Sequence, residues 1–135
     1  MRTSWHLVES QFFLNELGSL RVLDTPQLPF SPQRIFWVTR VLKGETRGFH
    51  AHRSGQQVLF CIQGSVSVKL FDGLAEQVLT ISPTSTGIHI LSGVWGEQTY
   101  LEEDSVLLVL SSGSFSEADY IRSKEEFELF LKQAE

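Results

Sequence analysis

One cysteine, Cys61, stands in 135 residues. A single thiol forms no internal disulfide, so nothing staples this chain. At this length nothing has to: a domain of this size buries about two-thirds of the surface its unfolded chain exposes. The scarcity of cysteine fits a reducing compartment. Cys61 lies inside the apolar run 58–62, so it reads as a small buried hydrophobe rather than a nucleophile.

Positive charge is also scarce. Eleven Lys and Arg face sixteen Asp and Glu, a net charge of −5, with no basic stripe. That argues against a nucleic-acid partner. No apolar stretch approaches the roughly 20 residues a membrane-spanning helix needs, so no membrane partner is expected. Residues 1–6 carry one basic side chain and no apolar h-region, so no secretory signal is expected and a cytoplasmic location is. Internal repeats, low-complexity tracts and linkers are lacking too, and the length suits one domain over 1–135.

What is present is a succession of short strand patterns. Residues 20–24 follow Gly18, and residues 34–41 are rich in β-branched and aromatic side chains. Residues 57–62 form an apolar run, and residues 65–70 alternate polar and apolar, the signature of a strand with one buried face. Gln63-Gly64 between them reads as a tight hairpin turn, and Asp72-Gly73 as a second turn. Residues 76–81 and 87–91 continue the series, and residues 105–110 read as a strand covered on both faces. Strands without alternating helices predict an antiparallel sandwich or barrel. One helix is expected at the end, over about 123–134. Ser123 and Glu126 have capping-box spacing, and Phe127, Phe130 and Leu131 share one face. Its apolar face should pack on the outside of the barrel.

The most informative segment is Gly44-Glu45-Thr46-Arg47-Gly48-Phe49-His50-Ala51-His52. Histidines at i and i+2 of a strand project from one face. Such a pair can bind one metal ion or divide acid–base work. The spacing continues: Gly44, five residues, His50-x-His52, four residues, Gln57, six residues, Gly64. This resembles the first motif of the cupins, except that the acidic position is Gln57. The resemblance implies an all-β fold, a double-stranded β-helix or jelly-roll barrel. The second cupin motif resembles Gly87, five residues, Gly93, then Trp95-Gly96. The histidine expected at position 96 is glycine. Two imidazoles and a neutral amide make a weak transition-metal site, so no metal and no cofactor are expected.

The wider string Arg47-Gly48-Phe49-His50-Ala51-His52, Gln57-Val58-Leu59, Gly64-Ser65 is similar to the sugar-nucleotide 3,4-ketoisomerases, metal-free cupins related in fold to dTDP-sugar epimerases. Gly18-Ser19-Leu20, Pro29-Phe30-Ser31, Asp72-Gly73, Val94-Trp95 and Asp119-Tyr120-Ile121-Arg122 extend the likeness from about residue 18 to 122. The resemblance implies conversion of a dTDP-4-keto-6-deoxyhexose to its 3-keto isomer through an enediol, on the route to surface-polysaccharide amino sugars. It implies His50 and His52 as acid–base groups, and a sugar nucleotide bound by Arg47, Gln57, Phe36, Trp37, Trp95 and Arg122. Arginine suits the pyrophosphate, because its fork matches phosphate oxygens. It further implies a homodimer with exchanged N-terminal strands, to which residues 4–13 could contribute. The chain departs from the family pattern in having Phe36 and Trp37 for two tyrosines, Gly96 for histidine and Leu17 for arginine. These departures favour the alternative, a non-catalytic cupin that binds a sugar nucleotide or related ligand.

Overall fold

The computed structural model describes residues 4–134. In chain order these form β1 (Trp5–Val8), β2 (Gln11–Asn15), β3 (Gly18–Val22), β4 (Arg34–Val38), β5 (Thr46–His52), β6 (Gln57–Gln63), β7 (Val66–Phe71), β8 (Glu76–Ile81), β9 (Gly87–Ile90), β10 (Trp95–Tyr100), β11 (Val106–Ser111), β12 (Tyr120–Ile121) and the helix α1 (Lys124–Gln133). Two five-stranded sheets face each other, ordered β1-β9-β6-β11-β4 and β12-β5-β10-β7-β8. The pairings in both sheets are antiparallel. This is the antiparallel arrangement expected from the strand pattern, in the jelly-roll form that the cupin resemblance implies.

Period-2 patterning decides which side chains meet between the sheets. On β7, Val66, Val68 and Leu70 are fully buried, while Ser67 and Lys69 between them turn outward. They pack on Leu59 and Cys61 of β6, Ile88 of β9, and Leu107 and Val109 of β11. The alternate residues of β6 and β11 meet a second layer. Val58, Phe60 and Leu110 lie against Val8, Leu23, Leu28 and Phe30. Cover on both faces is why β11 reads as apolar throughout. Cys61 is buried and its thiol donates to the Gln63 carbonyl at 3.1 Å.

One turn expectation fails. Gln63-Gly64 does not close a hairpin: β6 pairs with β9 and β11, whereas β7 pairs with β10 and β8. The chain passes at Gly64 from one sheet to the other. Gly64 has φ +76°, and a Cβ there would collide with the Ser105 side chain. The glycine therefore marks a crossing between sheets, which a local turn signal cannot distinguish from a hairpin. Asp72-Gly73 does close one, with Phe71 opposite Glu76. Asp72 Oδ1 accepts from the amides of Leu74 and Ala75 at 2.9 Å each. Two strands are also shifted or shorter than expected: β3 starts at Gly18, and β4 stops at Val38 ahead of Arg40, whose φ is +63°.

Helix α1 begins where expected. Ser123 Oγ accepts from Glu126 N at 3.1 Å. Phe127 is fully buried against Ala51, Trp95 and Ile121, on the outer face of the second sheet. At the other end of the chain, β1 pairs with β9 of its own chain. Strands β2 and β3 form a separate two-stranded arm whose Phe13, Leu14, Leu17 and Leu20 are exposed.

Candidate active site

The two sheets enclose a cavity of about 210 Å³. Its floor is apolar, from Leu59, Leu107 and Val109; its polar wall carries Arg47, His50, Gln57, Gln98, Tyr120 and Arg122. Two wider clefts lie outside the barrel, one beside His6 and His89 and one between the β7–β8 turn and α1; neither reaches the paired imidazoles.

A bulge in β5 builds this wall. Gly96 lies opposite His50 and Gln98 opposite Arg47, so β10 advances two residues while β5 advances three. The extra residue is Phe49, with φ +55°. In a regular strand residues 47 and 50 would face opposite ways; the inserted residue turns both into the cavity. Beyond the bulge the alternation resumes. His50 and His52 share the inner face, with ring centroids 5.0 Å apart, while Ala51 packs outward beneath α1.

The two imidazoles have different surroundings. Burial pushes His50 from 6.5 down to about 4, against a backbone hydrogen bond at Gly48; His52, Arg122 and Arg34 add to the fall. His50 is thus the neutral, proton-accepting form wherever a neutral-pH enzyme works. His52 lies behind it, bonded to Asp119: Nδ1 to Oδ2 is 2.9 Å. Burial pushes the Asp119 carboxyl up, but the Ser54 amide, His52 and the Ser54 hydroxyl outweigh it and hold it below its ordinary value. An ionised carboxylate only accepts, so His52 Nδ1 carries the proton and donates. His52 Nε2 is left with its lone pair, buried and without a protein partner. Burial nonetheless lowers His52 below 6.5, outweighing the bond to Asp119. The approach is close: a Cβ on Gly55 would stand 2.7 Å from Asp119 Oδ2.

Of the residues expected from the sequence, His50, Arg47, Gln57, Phe36 and Arg122 line the cavity, and His52 backs it. Two do not belong to it in this chain. Trp37 is adjacent to Phe36 on β4, so it takes the other face, and it is 65 % exposed there. Trp95 is 3 % exposed on the outer face of the second sheet, packed on Phe127, its Nε1 donating to Glu97 at 2.9 Å. Strand alternation turns both away from this cavity. Arg122 reaches the cavity while donating two bonds to Glu117, at 2.7 and 2.8 Å.

The structure adds residues the sequence reading left without a role. Tyr100 lines the cavity and is 1 % exposed; burial pushes its phenol up to about 12. Arg34 donates from Nη2 to the Tyr120 hydroxyl at 3.0 Å. The Tyr120 ring lies 5.0 Å from His50 and 4.5 Å from His52. Arg34 was findable, since it shares its parity with Phe36 and Val38 on an inward strand face. Asp119 and Tyr120 sit in a noted motif, yet nothing local to them points at residues 50 and 52. Gly96, where the resemblance expects a third histidine, stands directly across from His50. Among the described residues, no group of three or more His, Cys, Asp or Glu could hold a metal ion.

Residues 3–132 match the FdtA family, described as WxcM-like, C-terminal. The chain belongs to that family. The FdtA-family chain is 34 % identical over 119 residues to the TDP-4-oxo-6-deoxy-α-D-glucose-3,4-oxoisomerase of Aneurinibacillus thermoaerophilus, covering 87 % of this chain and 86 % of the relative. QdtA, a sugar 3,4-ketoisomerase from Thermoanaerobacterium thermosaccharolyticum solved with TDP, superposes at TM-score 0.92 with 32 % identity, covering 99 % of this chain and 98 % of QdtA. A 3,4-ketoisomerase from Helicobacter canadensis superposes at 0.89 with 27 % identity, covering 97 % and 99 %. An engineered variant of QdtA has been solved with TDP-4-keto-6-deoxyglucose.

Proposed function

We propose that this FdtA-family protein is a metal-independent 3,4-ketoisomerase of a dTDP-4-keto-6-deoxyhexose. The observation that carries this reading is the neutral His50 on a cavity wall that also holds Arg47 and Arg122, which suit a pyrophosphate. With the sugar in the cavity, His50 removes the proton from C3. The electrons pass to the C4 carbonyl, whose oxygen takes up a second proton to give an enediol, and the protonated imidazole delivers its proton to C4 as the C3 hydroxyl gives one up. Arg47 and Arg122 hold the nucleotide's phosphates as forked donors, and Gln57 offers an amide to the sugar. Asp119 keeps His52 in the tautomer that presents Nε2. The similarity to TDP-sugar ketoisomerases over most of the chain supports this substrate class.

The decisive measurement is direct. Incubated in D2O with dTDP-4-keto-6-deoxyglucose, the protein is expected to incorporate deuterium at the reacting carbons and form the 3-keto isomer, followed by NMR. Nucleotide binding with neither exchange nor 3-keto product would instead establish the non-catalytic cupin.

The same reading makes the protein a cytoplasmic enzyme of deoxyamino-sugar and surface-polysaccharide synthesis, formed of one cupin domain and working as a homodimer. The arm supports the dimer: Leu14 is 72 % and Leu17 95 % exposed, apolar side chains that a second copy would cover. Light scattering behind size exclusion is expected to read twice the 15.3 kDa chain mass. A monomer at micromolar concentration would reject the dimer.

A further inference from the structure

The proposed reaction moves two protons, and His50 accounts for one. The carbon-bound proton travels from C3 to C4. A second proton must also leave the C3 hydroxyl and arrive on the C4 oxygen. An oxygen acid is therefore needed beside the imidazole. Phe36 has no hydroxyl to offer. The chain contains two tyrosines, and both line the cavity. Tyr100 is almost completely buried, and burial holds its phenol at about 12. Tyr120 is the phenol that lies against both imidazoles, with rings 5.0 and 4.5 Å apart.

The Tyr120 hydroxyl is held by charge. Arg34 Nη2 donates to it at 3.0 Å, and the Arg122 guanidinium stands 4.4 Å from the ring centroid. Arg34 is braced in turn by Phe36 at 5.0 Å and Phe115 at 5.5 Å. Because the phenolic oxygen accepts from Arg34, its own proton is free to be donated into the cavity. A guanidinium fixed on that oxygen stabilises negative charge when the proton leaves.

We propose that Tyr120 is a catalytic residue that shuttles the oxygen-bound proton, and that Arg34 is its positioning residue. As His50 takes the C3 proton, the C4 carbonyl oxygen takes the Tyr120 proton, leaving an enediol, an imidazolium and a phenolate. The C3 hydroxyl then returns its proton to the phenolate while the imidazolium protonates C4. The 3-keto sugar is formed, and phenol and imidazole are both restored with no external reactant.

Tyr120→Phe keeps the ring and removes only the hydroxyl. General acid–base groups typically contribute about 100-fold or more, so kcat is expected to fall about 100-fold while the affinity for TDP stays within about threefold. Unchanged TDP affinity shows that the cup is intact. Arg34→Met is expected to slow kcat as well, and the double variant to be no slower than Tyr120→Phe alone. A merely structural arginine would add its own loss, and multiplying losses would overturn its assigned role. A kcat for Tyr120→Phe within about threefold of the wild type would overturn the proton shuttle. The inference rests on the ketoisomerase reading, and the two fail differently. A wild type that forms no 3-keto isomer overturns both, whereas an active wild type with an equally active Tyr120→Phe overturns the inference alone.

Discussion

His50→Gln is expected to lower the isomerisation rate by roughly 10²- to 10⁴-fold, the range that a positioned general base supplies. Glutamine fills similar space and still hydrogen-bonds, but it cannot take a proton from carbon. NMR detection of C3 exchange in the variant reads the loss directly; exchange at the wild-type rate would remove His50 from the mechanism. The same substitution has a pH signature. Burial holds His50 at about 4 in the folded chain, against 6.5 when unfolded. Between these values the unfolded state binds a proton that the native state refuses. The stability this side chain contributes is therefore complete above 6.5 and is lost as pH falls toward 4. In urea denaturation, the wild-type midpoint should drop more steeply over that window than that of His50→Gln. Parallel curves would mean that the histidine is not held neutral by burial. For the same reason, the acid limb of kcat/KM should lie well below 6.5.

Phe127→Ala is expected to destabilise the fold by about 3–5 kcal/mol, the usual cost of truncating a buried phenylalanine to alanine. The side chain is fully buried between the helix and the second sheet. It meets Trp95 at 5.7 Å and Phe71 at 6.1 Å between ring centroids. Its neighbour Ala51 lies between the two histidines on the opposite face of β5. The variant should therefore unfold at lower urea and also lose activity below its unfolding transition, because the strand presenting the imidazoles loses its backing. A urea midpoint unchanged from the wild type would show that α1 is not part of the cooperative unit.

Much of this protein was determined by its sequence alone. Alternation in residues 65–70 placed Val66, Val68 and Leu70 inside, because a strand's side-chain period is two wherever it lies. Ser123 and Glu126 marked the helix start through a bond only three residues long. The spacing about His50 and His52 put both imidazoles side by side, since i and i+2 share a face without help from any other element. Tertiary structure decided the rest. Gln63-Gly64 became a crossing because strand partners are chosen by which inner faces meet, and a glycine does not record that choice. Trp37 and Trp95 were turned away from the cavity by the face each strand presents inward. Asp119 reached His52 across 67 positions of chain, and Arg34 reached Tyr120 across 86. Such contacts exist only after the strands have paired, and no local pattern encodes them.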